Sequence, residues 1–395
     1  MVPSVPIFSR RRRRLPAILV LTALLLLLLS GCSDPEEVRV EGDFQYRSTG
    51  NDTVSLVKYT GSDRELVLPD TLGGMPVTNL EGLSFSYRKE LRSLTLPEGI
   101  KTVGNGAFYN CEALETLSLP ASLRILPEDA FLNCTGLKEI RVAEGNERFA
   151  AREGVLFDKQ FTTLIRYPAG REAASYTLPA TVTHIGAAAF EAAGTLASLT
   201  LPEGLTSIGP NAFYFCDGLT ELELPASLRE IGNYAFAGCE GLLTLRLPEG
   251  ITRLGDSTFY NCSALLTVEL PESLTAIEQL AFRGCTCLDG VVLPKGVASL
   301  GDGAFMECTS LTSLAIPEGV TALPEYLFGY NLSLEEVDIP ATVTSIHPNA
   351  FTACNEEAVL ICDRDSAAFS FAAEAGLTVK LRDTGEIIRN EKEEE

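Results

Sequence analysis

Tryptophan is absent from this 395-residue chain, and histidine and methionine are scarce, at two and three residues. The histidines, His184 and His347, lie far apart and share no catalytic spacing. Gly-x-Ser-x-Gly, His-Glu-x-x-His and a phosphate-cradling glycine loop are all missing. These absences leave no catalytic residue to assign and call for no cofactor or metal. A degradative surface enzyme survives only as a remote alternative, because carboxylates are abundant. Positive charge is also short, with 31 Lys and Arg against 53 Asp and Glu and a net charge of −22. Such a chain repels phosphate backbones and anionic lipid heads, which excludes nucleic acid as a partner. The same acidity keeps a long chain soluble and monomeric. Without tryptophan a sugar-stacking platform lacks its best residue, so a macromolecular partner is read as protein rather than polysaccharide.

No apolar run reaches the roughly 20 residues that cross a bilayer. The nearest approach is Leu15 to Leu29, which follows five arginines, Arg10 to Arg14. A basic segment, a short apolar segment and small residues before a cleavage point read as a secretory signal over residues 1–31. Leu29-Ser30-Gly31-Cys32 resembles a bacterial lipobox. That resemblance implies that Cys32 becomes the lipidated first residue of the mature protein, which would attach it to the bacterial cell membrane or surface. Residues 32–43 then form the lipidated cysteine and a short linker.

Prolines recur every 23 residues at 179, 202, 225, 248, 271, 294, 317 and 340, with Pro97 and Pro120 on the same period. A phenylalanine follows each by eleven residues, from Phe108 to Phe351. With proline as position zero, apolar residues fall at +3, +6, +10, +11, +14, +17, +20 and +22, as in Leu205, Ile208, Ala212, Phe213, Cys216, Leu219, Leu222 and Leu224. The final Leu-x-x-Leu-x-Leu reads as a strand whose alternate residues enter a core. Positions +6 to +14 step by three and four, which predicts a helical turn carrying Ala-Phe-x-x-Cys inward. The predicted fold is an α/β repeat solenoid, with one parallel β-sheet and short helical turns.

The consensus from Leu219 through Cys239 resembles the BspA-type leucine-rich repeats of bacterial surface proteins. Gly74-Met75-Pro76-Val77-Thr78 is similar to that family's capping hairpin, and Leu360-Ile361-Cys362 followed by a helix over 366–376 to its closing cap. The resemblance implies a surface-exposed adhesion or ligand-binding solenoid without catalytic residues. It organises the chain as N-terminal capping strands over 44–90, the solenoid over 91–354, a C-terminal cap over 355–381 and an acidic tail over 382–395. A structural envelope solenoid with no dedicated ligand is the alternative.

Function should then sit where residues escape the period. Glu221, Glu223, Arg246 and Glu269 point outward on the strands and are the candidate ligand-binding residues. Tyr109, Tyr214 and Tyr260 share position +12 and are candidate aromatic contacts. The segment 143–178 interrupts the period and holds a predicted hairpin of Val155-Leu156-Phe157 with Thr163 to Tyr167, readable as a variant coil or as a projecting binding element. Eight cysteines occupy position +14: Cys111, Cys134, Cys216, Cys239, Cys262, Cys285, Cys308 and Cys354. Rungs place neighbours about 5 Å apart, within disulfide range. A ladder sets its side chains parallel, however, and Ala193 and Asn331 fill the same position. A small buried group is the reading, with scattered disulfides or a metal as alternatives. Glu98, Glu203, Glu249, Glu272 and Glu318 follow the prolines; a calcium site at Glu249 and Glu272 falls short of the six or more oxygens such an ion gathers.

Overall fold

A computed structural model describes residues 37–390. The expected signal and Cys32 lie outside these residues, as does the end of the acidic tail. From Arg39 to Asn390 the chain forms one compact unit of stacked coils with a period of about 23 residues.

The apolar positions of the repeat are spent on the core. Leu205, Ile208, Ala212, Phe213, Cys216 and Leu219 are fully or almost fully buried, and the same positions are buried in the neighbouring coils. Their Leu-x-Leu segments pair in parallel, as in Ser198–Thr200 with Glu221–Leu222, and Thr244–Arg246 with Thr267–Glu269. Position is preserved from rung to rung: Glu221 lies beside Thr244, and Thr244 beside Thr267.

Two features depart from the sequence reading. A second, shorter parallel ladder runs through positions +5 and +6, joining His184–Ile185, Ser207–Ile208 and Glu230–Ile231. The Ala-Phe-x-x-Cys segment, expected as a helical turn, is a chain of tight turns. Its +9 and +13 residues take left-handed φ, 55° at Asn211 and 56° at Phe215, which stops helical bonding from propagating. The amide of Phe213 donates instead to the carbonyl of Ala235 in the next coil, at 2.7 Å. Among the described residues only Glu128–Phe131 makes a 3-10 turn within a coil, after Pro127. Coils approach closely, and a Cβ on Gly232 would lie 2.5 Å from the Pro210 nitrogen.

Phenylalanine rings stack along the axis. From Phe190 through Phe305 neighbouring centroids are 5.0 to 5.5 Å apart, with planes within 12°. Tyr167 extends this column on one side, and Phe371 of the helix Ala367–Ala375 ends it on the other, while a separate column runs from Tyr59 through Phe85 and Phe108 to Phe131. That helix starts at Ser366, whose hydroxyl accepts the Phe369 amide, and stops at Gly376 with φ 73°. Beyond it, Thr378–Leu381 joins the long ladder in parallel, and Ile387–Ile388 pairs antiparallel with it, so packed structure continues past residue 381. At the other end Arg39–Glu41, Phe44–Ser48 and Val54–Tyr59 run antiparallel before the parallel stack begins.

Within 143–178 the chain folds as an antiparallel meander of Phe149–Arg152, Val155–Asp158 and Thr163–Arg166. Glu153 and Gly154, at φ 54° and 78°, form the two-residue turn that matches the twist of paired strands. The Asp158 carboxylate accepts the amides of Thr162 and Thr163 and closes the second turn. Thr163–Arg166 then pairs in parallel with His184–Ile185, which returns the chain to the short ladder. Phe149, Phe157 and Tyr167 are buried, so these aromatic rings fill the core and do not project from it.

The interruption leaves the Pro120 coil without an ordinary successor, and side chains take over the missing bonds. Elsewhere the +13 amide donates to the next coil, as Asn110 does to Leu132; the Asn133 amide reaches the Glu191 carboxylate instead. Elsewhere a cysteine of the next coil, or Asn331 at Phe305, donates to the phenylalanine carbonyl; at Phe131 the Arg166 guanidinium does so, 3.3 Å away. Arg166 and Glu191 are both buried and pair at 3.1 Å. Removing one partner from such a pair strands a charge and costs about 3–5 kcal/mol. Glu191→Ala is therefore expected to lower stability on that scale in denaturant unfolding, and Glu191→Ala with Arg166→Met to recover much of the loss.

Candidate binding surface

The sheet face carries the first group of candidates. Glu221, Glu223, Arg246 and Glu269 are all exposed. The parallel register brings them together on three consecutive rungs, with Arg246 directly opposite Glu269. The Arg246 Nε lies 3.3 Å from a Glu269 carboxylate oxygen, with both side chains largely in solvent. Such a pair contributes little stability, about 0–1 kcal/mol, so the fold does not require it. Glu221 and Glu223 make no ion pair among the described residues. Two exposed leucines adjoin this group: Leu243 and Leu266 stand at +18 on successive rungs, where the Leu266 amide donates to the Leu243 carbonyl. Sequence reasoning passed over them because a leucine is unremarkable in a leucine-rich chain. Their outward phase within the period was the available signal.

The tyrosines lie on the turns, with Glu191 near both Tyr109 and Tyr214, and Tyr260 near Tyr214. Tyr109 sits edge-on to Tyr87, with centroids 5.4 Å apart, in the coil that follows Pro97. Tyr214 and Tyr260 lie two coils apart and interact electrostatically. Tyr214 packs on Phe215 at 4.4 Å, and the Arg283 guanidinium lies 5.6 Å from the Tyr260 ring centroid. Burial, and then the nearby charge of Glu191, raises the Tyr214 hydroxyl above its ordinary pKa. All three rings are half-buried, with only part of each in solvent.

Other candidates resolve into the scaffold. Each ladder thiol donates to a phenylalanine carbonyl in the preceding coil, as Cys239 does to Phe213 and Cys262 to Phe236, both at 3.1 Å. Asn331 makes the same bond to Phe305 through its amide at 3.0 Å. Position +14 thus selects a small buried group, a donor wherever the preceding coil is regular and an alanine, Ala193, after the meander. The thiols are free, and burial pushes those of Cys239 and Cys285 well above the ordinary range. Two of the glutamates after the prolines also have backbone partners. Glu98 accepts the amides of Ala121 and Ser122, and Glu249 those of Glu272 and Ser273, which caps the next coil's turn. Among the described residues no three His, Cys, Asp or Glu side chains converge as a metal set. Nor is any described helix long and apolar enough to cross a membrane. His184 contacts the Thr183 hydroxyl, and His347 Nδ1 accepts the Asn349 amide; neither pairs with a carboxylate. An open cleft of about 580 Å³ lies beside the start of the C-terminal helix, between Ala341 and Asp383.

The model of the BspA type leucine rich repeat region matches residues 64–152, 169–289 and 252–368, most of the chain, in six copies. The chain belongs to the BspA-type leucine-rich repeat family. No curated protein matches it. Among solved structures it is similar to a leucine rich cell surface protein from Faecalibacterium prausnitzii A2-165, with 24% identity and a TM-score of 0.56 over 86% of this chain and 98% of that one. It is also similar to a leucine-rich repeat protein from Eubacterium ventriosum ATCC 27560, with 19% identity and a TM-score of 0.49 over 80% and 94%. A leucine-rich repeat protein from Bacteroides ovatus ATCC 8483 matches with 22% identity and a TM-score of 0.46 over 87% and 99%. These likenesses concern the fold.

Family membership fits the division of labour between buried and exposed positions, and the cysteines test it. Iodoacetamide on the native protein is expected to label the exposed Cys287 first among the described thiols, and the ladder thiols only after unfolding. Peptide mass mapping reads the order. Labelling of Cys239 at the rate of Cys287 under native conditions would contradict the buried-donor assignment.

Proposed function

We propose that this BspA-type protein is a non-catalytic, lipid-anchored cell-surface solenoid. It binds protein on a host or neighbouring cell through its exposed sheet face. The observation that carries this reading is the unequal use of the repeat. Buried positions are fixed by packing, whereas Glu221, Glu223, Arg246 and Glu269 stand in solvent on consecutive rungs and do no work for the core. The F. prausnitzii relative is described as a cell surface protein, which supports the location. Export through residues 1–31 and a lipid on Cys32 would place the body close to its membrane, because paired strand begins at Arg39, only a few residues on. In this reading the tyrosines at 109, 214 and 260 are secondary contacts, and the protein acts as a monomer.

The test is saturable binding of the purified protein to an array of extracellular and bacterial surface proteins. The triple variant Glu221→Gln, Arg246→Gln, Glu269→Gln is expected to keep the wild-type melting temperature and to lose binding by roughly tenfold or more, the scale of central interface residues. Absence of any saturable partner, together with weakened envelope integrity in a deletion strain, would favour a structural role without a ligand.

A further inference from the structure

Glu221, Glu223, Arg246 and Glu269 have apolar neighbours. Leu243 is 42% exposed, Leu266 is 47% exposed, and Val292 is 86% exposed. Register places them in one field. Leu243 and Leu266 occupy position +18 on successive rungs. The Thr267–Glu269 rung bridges to Gly290, which sets Val292 next along the column that holds Arg246 and Glu269. Three consecutive rungs thus each show one aliphatic side chain to water. The regular ladder also ends here, with Gly290 contributing only a bridge and no strand.

Charge on this field is one-sided. Glu221, Glu223, Glu269 and Asp289 are exposed acids, and Arg246, which opposes Glu269, is the single base among them. Glu221, Glu223 and Asp289 make no ion pair among the described residues. Nearer the C-terminus the sheet face treats its acids differently: Glu336 is held by Lys380, and Asp338 by Arg382. Aliphatic anchors surrounded by unpaired carboxylates suit a partner with cationic side chains around aliphatic ones.

We propose that the rungs 221–223, 243–246, 266–269 and 289–292 form a docking site for an amphipathic, lysine- or arginine-bearing segment of a partner protein. The aliphatic side chains of that segment cover Leu243, Leu266 and Val292, and its cations meet Glu221, Glu223 and Asp289. This rests on the sheet-face reading above and adds the chemistry of the partner. Contact with the leucines supplies the apolar attraction, while the carboxylates steer the approach and exclude acidic segments. Both contributions are needed, since exposed charge alone gives weak and strongly screened binding.

The probes are three synthetic octapeptides of alternating Leu and Lys, Ser and Lys, and Leu and Glu, titrated into the purified protein and followed by calorimetry. The Leu–Lys peptide is expected to bind saturably at one site, and the other two at least about tenfold more weakly. Leu243→Ser with Leu266→Ser should weaken Leu–Lys binding roughly tenfold, as should Glu221→Gln with Glu223→Gln, while both doubles melt as the wild type does. Raising salt from roughly 50 mM to 500 mM should weaken the wild type more than the glutamine double. Equal binding of Ser–Lys and Leu–Lys, or insensitivity to the serine double, would overturn the proposal. Array proteins that bind but are not displaced by the Leu–Lys peptide would overturn it too, while leaving the sheet-face reading intact. No array partner at all would remove the broader reading instead.

Discussion

The hydrogen bond from the Phe213 amide to the Ala235 carbonyl recurs at Phe190, Phe236, Phe259, Phe282, Phe305 and Phe328, each time reaching into the following coil. The rest of the fold depends on it. A coil that keeps its turn amides to itself becomes helix and loses its neighbour. A coil that exports them needs a successor at a fixed height, and this fixes the stacking of the rings and the thiol-to-carbonyl bonds. The left-handed residues at +9 and +13 are what force the export, at a local conformational cost that asparagine and glycine meet most cheaply.

This dependence explains why the 23-residue beat was so legible. Every position that faces inward must repeat, because its neighbours are copies of itself, so Leu205, Phe213 and Leu219 could be assigned from spacing alone. The turn between them could not. Steps of three and four describe a helix and a succession of tight turns equally well, and the sign of φ at Asn211 or Phe215 leaves only a faint trace in residue type. The second ladder was hidden for a related reason, since two residues at +5 and +6 are too few to show alternation.

Sites were less legible than scaffold. Glu221, Glu223, Arg246 and Glu269 could be named as outward residues, and the register does bring them together. Tyr109, Tyr214 and Tyr260 share a position but stand on different rungs, with Glu191 near the first two and Tyr260 near Tyr214, because a common phase places residues on one side of a stack, not on one rung. Leu243 and Leu266 were camouflaged by composition. Arg166 and Glu191 are the plainest gap: two charged residues 25 apart give no hint in sequence that they meet in the core. Their role follows only once the meander is seen to remove the coil that would have supplied backbone partners.

The splice at Arg166 and Glu191 also marks a division in the core. Buried residues on one side, up to Phe149 and Leu156, form one cluster, and those from Val155 and Phe157 onward form another. Within either cluster, tension along the stack is shared among repeated rungs, the Gly290 rung with its single bridge excepted. At the splice the load passes through side chains and a meander whose strands run antiparallel. Where the two clusters meet, the backbone bonds from Gly170 to Leu137 and from Ile140 to Gly154 supplement the side-chain ones, so the seam is held by a mixed set of bonds unlike those of any regular rung. The irregular coil thus lets two separately packed cores share one continuous chain.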